Sequence, residues 1–254
     1  EIGPGKGVLT EALAKKAKQV IAVELDRGLV AELQKKFRDK KNVTIVHEDI
    51  LRWWGEDGPS YAAREKSRQG NCFVDSAFKV VANIPYRITA PILRLFLEHE
   101  PRPSLIALMV QKEVAERVCA KPGEMSVLSV AVQYYATPEI VRIVPRTAFD
   151  PPPKVDSAIL RIRPHPYPLL EGEGGGNSFS SQEKVRMRSK DFFRLVKMGF
   201  ASRRKQLQNL LATGLHISNE EAKNVLCAIG LAPTVRAQEL SIDDWKQLAS
   251  ILEL

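Results

Sequence analysis

Residues 3–24 of this chain read GPGKGVLTEALAKKAKQVIAVE, and they set its architecture. A glycine-rich turn is followed by a helical pattern over residues 8–18 and by the apolar run 19–24, which predicts a buried strand. Such a turn normally follows a strand of its own. We therefore expect that the natural N-terminus, with a first strand, precedes Glu1.

Short β-branched runs alternate with segments of helical period through the first two thirds of the chain. Leu29, Leu33 and Phe37 mark the next helix, and further strands are predicted at residues 43–46, 80–82, 104–110, 141–144 and 158–162. This alternation predicts an α/β fold with a Rossmann-like, doubly wound and largely parallel sheet, which binds its ligand at the carboxyl ends of the strands. The polar residues between Asp49 and Phe78 are expected to form a loop or an irregular insertion.

Residues 166–181 are expected to be a flexible linker, because this part of the chain is rich in Pro, Gly and Ser. The linker divides a sheet domain, residues 1–165, from a smaller all-helical domain, residues 182–254. In the helical domain Ser218 and Glu221 have capping-box spacing, and Gly214 and Gly230 are expected to end helices.

Charge and composition limit the possible partners. The chain has 254 residues and a formal net charge of +8, and clustered Lys and Arg gain affinity for a polyanion by releasing counterions from phosphates. Its three cysteines lie far apart and its four histidines are scattered, so neither a disulfide framework nor a metal site is expected. No apolar run is long enough to span a bilayer.

The glycine-rich turn is a candidate cofactor site. Its spacing matches neither a P-loop nor a dinucleotide fingerprint, but the backbone at Gly3 and Gly5 could approach a ligand closely. Glu24 ends a predicted strand, where its carboxylate could accept both hydroxyls of a ribose. Asp49 follows the next strand and could accept from an adenine amine, with Ile50 against the ring. This pattern fits S-adenosylmethionine better than a dinucleotide, and the alternative is that both acids are ordinary solvated residues at strand ends.

Asn83-Ile84-Pro85-Tyr86 is the most informative motif, and it follows the apolar run 78–82. Asn83 offers a side-chain carbonyl as an acceptor, Pro85 leaves its own carbonyl free, and Tyr86 offers a ring face. Together these groups suit the amine and the face of a flat nitrogenous base that has been turned out of its stack. The alternative is a strand that ends in a proline turn, with Tyr86 in the core.

Seven motifs follow one another along nearly the whole chain: Glu1-Ile2-Gly3-Pro4-Gly5-x-Gly7, Val23-Glu24-x-Asp26, Glu48-Asp49, Asn83-Ile84-Pro85-Tyr86, FDPPPKVDS at residues 149–157, FASRRK at 200–205 and RAQELS at 236–241. In this order they resemble the ribosomal RNA adenine dimethyltransferases, most closely those of the KsgA type. That family also has an N-terminal segment with a Gln-Asn-Phe-Leu-like motif that closes over the cofactor, and the present sequence lacks it.

The resemblance implies an enzyme that uses S-adenosylmethionine to dimethylate the exocyclic amines of two adjacent adenosines near the 3′ end of small-subunit ribosomal RNA. It implies that Asn83 and the Pro85 carbonyl accept hydrogen bonds from the target amine, while Tyr86 and Phe149 stack on the target base. Residues 1–165 would then be the catalytic domain. The cofactor-site residues that carry over by motif are Gly3, Glu24, Asp49 and Asn83.

A concentration of basic residues opens the helical domain, and it includes Arg203, Arg204 and Lys205. With Lys154 of the FDPPPKVDS motif, these residues are candidates for RNA docking that sets affinity more than sequence choice. The alternative is a solvated helix face. The expected partner is small-subunit ribosomal RNA or a pre-ribosomal small subunit. The expected enzyme is a metal-free monomer in the cytoplasm, or in an organelle if the missing N-terminus carried a transit peptide.

Two other functions are compatible with the same motifs. One is methylation of large-subunit ribosomal RNA by the related antibiotic-resistance enzymes, and Pro151-Pro152-Pro153-Lys154 and the C-terminal motifs argue against it. The other is a non-catalytic assembly or transcription factor that keeps this fold for RNA or DNA binding. The intact motif at residues 83–86 argues against a lost active site.

Overall fold

The computed structural model describes residues 1–55, 78–99, 101–165 and 181–252, without the side chains of Tyr86 and of residues 181–189. The strands are β1 (Val20–Glu24), β2 (Val43–His47), β3 (Lys79–Asn83), β4 (Leu105–Gln111), β5 (Ala136–Val144) and β6 (Ser157–Pro164). The helices are α1 (Val8–Ala14), α2 (Arg27–Lys36), α3 (Ile50–Trp54), α4 (Thr89–Glu98), α5 (Lys112–Val118), α6 (Val127–Tyr135), α7 (Ser181–Gly199), α8 (Leu207–Leu215), α9 (Asn219–Ala228) and α10 (Ile242–Ile251).

The strands are arranged in the order β2, β1, β3, β4, β6, β5. Ile2 lies between β1 and β3 and forms parallel bridges to Val23 on one side and to Ala82 on the other. β1 is parallel to β2, and β3 is parallel to β4, whereas β6 is antiparallel to both of its neighbours. The predicted α/β sheet is confirmed, with one reversed strand that the alternation of elements does not reveal.

The interior of the sheet follows the apolar pattern of its strands. In β4 every second residue is buried, and Ile106, Leu108 and Val110 are inaccessible to solvent. α4 buries Ile92 and Leu93 in the same way. Period-2 and period-3.6 patterns thus place the apolar side chains inside and leave the strand ends for polar residues.

The chain forms two compact units, which we call the sheet unit (Glu1–Glu116 and Tyr135–Pro164) and the helical unit (Arg117–Tyr134 and His165–Leu254). This division differs from the one expected from the sequence, which put all of residues 1–165 in one domain. The reason is packing, because Met125 and Val130 are buried in the same core as Phe192 and Trp245.

The core of the helical unit is apolar and closely packed. Trp245, Leu207 and Leu211 are fully buried. Ser218 caps α9 with the predicted capping box, and Gly230, at φ +76°, follows the end of that helix as expected. Gly214 lies one residue before the end of α8 and lets Met198 pack against the backbone, where a Cβ atom would collide with its sulfur.

α1 is shorter than predicted, since it ends at Ala14 and residues 15–18 form a turn. The Asn42 side-chain amide donates to the carbonyls of Ala14 and Ala17, at 2.8 and 3.1 Å. A distant residue therefore terminates this helix, in a way that local propensity does not indicate.

Two predicted features lie outside the described residues, namely most of the insertion (residues 56–77) and the linker (residues 166–180). Within the described ranges, no helix has both the length and the apolar character needed to cross a membrane.

Candidate active site

The central feature of the site is the register of Ile2 between β1 and β3. Because Ile2 pairs with Val23 and with Ala82, the residues that follow, Gly3, Glu24 and Asn83, lie side by side where the parallel strands end. We call this side of the sheet the carboxyl edge. Neighbouring strands are about 4.8 Å apart, so these three residues lie within reach of one small molecule. The structure thus brings together the glycine turn, the acid and the amide that the sequence analysis selected separately.

The glycine turn is shaped by positive φ angles, which glycine adopts without steric cost. Gly3 and Gly5 have φ values of +61° and +55°, and a Cβ atom built on either one meets no other atom within 4 Å. At Gly7 a Cβ atom would lie 2.7 Å from the Phe37 ring and 2.8 Å from Leu33. Gly7 is therefore required for packing, while Gly3 and Gly5 present backbone to open space.

Glu24 is nearly buried, with 8% of its surface exposed, and it is held by the main chain. Its carboxylate accepts from the N–H groups of Gly5 at 3.1 Å, Leu25 at 2.9 Å and Asp26 at 3.0 Å. A carboxylate has about four acceptor positions, so one position remains for a ligand hydroxyl. Glu24 thus fixes the glycine turn and offers an oriented acceptor beside it.

A second carboxylate of this region belongs to Glu1, whose side chain accepts a hydrogen bond from the buried Thr10 hydroxyl at 2.5 Å. Burial is the main cause that raises the pKa of the Glu1 carboxyl above its usual value. The Glu1 main-chain nitrogen donates to Ile21 O at 2.7 Å and extends the pairing of Ile2 with β1. Both contacts hold the start of the glycine turn against the sheet.

Asp49 and Ile50 lie at the start of α3, just past the end of β2. The Asp49 side chain caps the helix by accepting from Leu51 N at 2.9 Å and remains half-buried. Ile50 is only 7% exposed, so little of its surface is open to a ligand. The roles of Asp49 at an adenine amine and of Ile50 at its ring stay predictions.

The structure adds Leu25 and His47 to the candidate residues. Leu25 follows Glu24 directly and is 63% exposed, which provides an apolar surface next to the oriented carboxylate. A ring nitrogen of His47 lies 3.2 Å from the Leu25 carbonyl oxygen, and His47 pairs with Glu24 across the two strands. An apolar residue directly after a strand-end acid was the sequence signal for this position.

The motif at residues 83–86 follows the end of β3 as expected, but the Pro85 carbonyl is not free, because the turn that follows supplies a backbone donor. Asn83 ends β3 with an exposed side chain, and Ile84 anchors the turn in the core at 2% exposure. The carbonyl of the exposed residue Pro85 accepts from Ile88 N at 3.1 Å, and a carbonyl oxygen can accept a second hydrogen bond. The side chain of Tyr86 lies outside the described residues, so its stacking role stays a prediction.

The FDPPPKVDS motif lies at the same edge, since Ser157 at its end pairs with Gln111 at the end of β4. Asp156 ties the loop down: its side chain accepts from Arg146 N at 3.0 Å and its carbonyl oxygen from Lys112 N at 3.0 Å. Phe149 is half-buried and Lys154 is exposed. These placements are compatible with the predicted stacking and phosphate contacts.

The remaining predicted RNA contacts belong to the helical unit. Arg203, Arg204 and Lys205 are exposed in the turn between α7 and α8, where Lys205 N donates to Ser202 O at 3.2 Å. No cluster of His, Cys, Asp and Glu with the geometry of a metal site occurs among the described residues.

Comparisons with known proteins agree on one family. The family model for ribosomal RNA adenine dimethylase matches residues 1–254. A relative from Dehalococcoides mccartyi, named ribosomal RNA small subunit methyltransferase A, is 41% identical over 251 residues, which cover 99% of this chain and 77% of the relative.

Two solved structures share the fold over nearly the whole chain. A dimethyladenosine transferase from Plasmodium falciparum superposes with a TM-score of 0.71 at 24% identity, over 99% of this chain and 87% of that chain. The 23S rRNA methyltransferase ErmE gives a TM-score of 0.70 at 26% identity, over 100% of this chain and 89% of that chain. The chain therefore belongs to the ribosomal RNA adenine dimethylase family and is a ribosomal RNA methyltransferase that uses S-adenosylmethionine.

Proposed function

We propose that the substrate is small-subunit ribosomal RNA, in which the enzyme dimethylates the exocyclic amines of two adjacent adenosines near the 3′ end during subunit assembly. The observation that carries this proposal is the position of Asn83, exposed at the carboxyl edge beside Gly3 and Glu24. The 41% identity to a relative named for the small subunit supports the choice of RNA.

The residues of the carboxyl edge fit S-adenosylmethionine. The open backbone at Gly3 and Gly5 leaves room for close approach, the free acceptor position of Glu24 suits a ribose hydroxyl, and Leu25 provides apolar surface for a ring. When bound, this cofactor supplies a methyl group that its sulfonium has already activated.

Because the methyl group is activated, the protein has to align the target amine rather than generate a strong nucleophile. The Asn83 side-chain oxygen and the Pro85 carbonyl are two acceptors for the two hydrogens of an exocyclic amine, and their hydrogen bonds would direct its lone pair toward the cofactor side of the edge. Both acceptors also stabilise the positive charge that develops on the nitrogen. The proton becomes acidic as the nitrogen gains a bond, so it can leave to water.

Reaching the amine requires an adenosine that is unstacked from its RNA helix, at a cost of a few kcal/mol. Stacking on aromatic rings offsets such a cost, with about 1–3 kcal/mol for each base. We assign this role to Tyr86 and Phe149. Two hydrogen bonds of Asp156 keep the Phe149 loop at this edge. Its carbonyl oxygen accepts from Lys112 N, directly after β4, and its side chain accepts from Arg146 N.

RNA docking is assigned to Arg203, Arg204 and Lys205 on the helical unit and to Lys154 on the sheet unit. All four are exposed and can contact phosphates without reading sequence. We further propose that the enzyme acts as a monomer without metal.

Methylation of large-subunit RNA is the second candidate, because the fold of ErmE matches this chain almost as well as the dimethyladenosine transferase does. The two candidates share the carboxyl edge and differ in the RNA that docks on it. A non-catalytic RNA-binding factor is the third candidate, and it makes no use of the exposed Asn83 acceptor.

The three candidates are separated by one assay. The protein is incubated with methyl-labelled S-adenosylmethionine and with unmethylated small-subunit or large-subunit RNA, both free and in subunit particles. We expect N6,N6-dimethyladenosine in small-subunit RNA. Label in large-subunit RNA alone would favour the second candidate, and RNA binding without label in either RNA would favour the third.

A further inference from the structure

A second concentration of positive charge lies on the sheet unit, and none of the roles described so far uses it. It consists of residues after α1 and around the end of α2. We call it the basic edge, and its members are Lys15, Lys16, Lys18, Lys35, Lys36, Arg38, Lys40 and Lys41. All eight side chains are exposed.

Hydrogen bonds make the basic edge one continuous surface. The Asn42 amide bonds to Ala14 O and Ala17 O, which joins the turn after α1 to the turn before β2. Val20 N donates to Asn42 O at 2.8 Å, and Val43 N donates to Lys40 O at 3.1 Å. The two basic segments are therefore held next to each other by the main chain that leads into β1 and β2.

Little negative charge offsets this surface. Lys15 and Lys36 contact Glu11 at 3.6 and 3.7 Å, Asp39 lies within the second segment, and Glu32 precedes Lys35 and Lys36 by one turn of α2. For the other six cations, the described residues provide no ion pair. The surface holds eight of the 38 Lys and Arg residues of the chain, within two short segments.

Stabilisation of helix ends does not account for this density. Cations in the last turn of a helix interact favourably with its dipole, by about 0.3–1 kcal/mol each, and this applies to Lys35 and Lys36. Lys18, Arg38 and Lys40 lie beyond the helix ends, where mutual repulsion of like charges works against the fold. Such a cluster indicates a polyanionic partner.

The position of the basic edge relative to the active site follows from the strand register. Val20 pairs with Val43 at the start of β1 and β2, while Glu24 pairs with His47 at their ends. The turns that lead into these strands, with Lys18, Lys40 and Lys41, are therefore at their amino ends, and the active site is at the carboxyl ends. Lys36 reaches further, since its ammonium donates to the Lys6 carbonyl of the glycine turn at 3.1 Å. At about 3.3 Å per residue, the five residues of β1 separate the two edges by about 13 Å.

We propose that the basic edge binds phosphates of the ribosomal RNA substrate, as a second docking surface on the sheet unit. It rests on the proposed function, and it implies that a bound RNA extends past the catalytic edge and along the unit to the opposite edge. A folded RNA with several helices can make both contacts, whereas a short single strand in the active site cannot.

The test compares two variants of the full chain that lose the same charge. The first replaces three cations of the basic edge, Arg38→Gln, Lys40→Gln and Lys41→Gln. The control replaces three exposed cations elsewhere, Arg142→Gln, Lys223→Gln and Lys246→Gln. Binding of deproteinised, unmethylated small-subunit RNA is measured without cofactor at several salt concentrations, and circular dichroism checks that both variants fold.

Each lost phosphate contact lowers the slope of log affinity against log salt by about 0.7–0.9. For the basic-edge variant we expect the magnitude of this slope to fall by about 2 and the affinity near 0.1 M salt to fall by about 10- to 50-fold. For the control we expect the slope to fall by less than about 0.5. Equal slopes in the two folded variants would overturn the inference. Because binding is read without methyl transfer, failure of the proposed function appears separately, as wild-type protein that transfers no methyl group.

Discussion

Polar groups at the helix starts of the helical unit are hydrogen-bonded to each other, whereas polar groups at the carboxyl edge of the sheet unit keep acceptor positions open. At the starts of α9 and α10, Ser218 and Ser241 are bonded reciprocally to Glu221 and Asp244, three residues further on. These groups satisfy each other locally. At the carboxyl edge, the exposed Asn83 side chain presents an acceptor, the Pro85 carbonyl accepts one hydrogen bond and can accept a second, and Glu24 is bonded to the main chain in a way that leaves one acceptor position open.

Stability and function therefore depend on different polar groups. Closed pairs of polar groups fix helix boundaries, and a buried apolar core completes the helical unit. Open acceptors on a rigid sheet edge are the groups that a ligand can use. Substitutions in the helical core should therefore reduce stability, whereas substitution of the exposed Asn83 at the carboxyl edge should reduce methyl transfer at nearly constant stability.

Trp245→Ala should have the largest effect on stability. Trp245 is fully buried and packs on Phe200, with ring centroids 5.8 Å apart, so truncation leaves a large cavity. We expect a loss of about 3–5 kcal/mol in the free energy of unfolding, measured by denaturant titration. Trp245→Phe, which keeps most of the apolar volume, should lose less. Equal losses in the two variants would show that volume at this position does not determine stability.

Asn83→Ala should have the largest effect on catalysis. It removes one of the two acceptors for the target amine, and the loss of a single preoriented group of this kind costs about 10²–10³ in rate. Single-turnover methyl transfer measures the effect. RNA binding and the unfolding midpoint should change little. A variant with near wild-type turnover would remove Asn83 from the mechanism.

Glu24→Gln should weaken cofactor binding by about tenfold or more, because hydrogen bonds to a charged group contribute about 1.5–3 kcal/mol. Glutamine keeps one acceptor oxygen, so it can retain either the Gly5 bond or the Leu25 and Asp26 bonds, and its NH2 group cannot accept the others; the anchor of the glycine turn is weakened. Calorimetric titration with S-adenosylhomocysteine measures the change. Glu32→Gln, an exposed acid on α2, is the matched control and should bind normally.

Glu221→Gln should have the smallest effect, and one that depends on pH. Hydrogen bonds from the Ser218 backbone, then from its hydroxyl, lower the pKa of Glu221 below its ordinary value of 4.5. A lowered folded pKa adds stability above the unfolded pKa, and this contribution is lost as pH falls through the folded value. The variant should melt slightly earlier than wild type at pH 7, and the difference should vanish in acid. A difference that stays constant from neutral pH into acid would contradict this.

Much of the sheet unit could be predicted from the sequence because its signals are local. The apolar runs predict β1 to β4. Glu24 is the last residue of one run and Asn83 directly follows another, so both were predicted at strand ends, where the structure has them. The exposed side chain of Asn83 follows from that position. The capping box at Ser218 is equally local, since three residues separate the partners.

The features that were not predicted depend on distant partners. The apolar positions Met125 and Val130 indicate burial, but the sequence does not say that they pack with Phe192 in the helical unit. The early end of α1 depends on Asn42, which is more than twenty residues away. The contact of His47 with Leu25 O and the reversal of β6 likewise arise only when the strands are paired.

The central claim is that Gly3, Glu24 and Asn83 form one site at the carboxyl edge. Its most direct test is amide hydrogen exchange, followed by mass spectrometry, with and without S-adenosylhomocysteine. We expect slower exchange in peptides that cover residues 3–7, 24–26 and 83–85 together, with no change in residues 207–215 of the helical unit. Protection of the glycine turn without any change at residues 83–85 would contradict it.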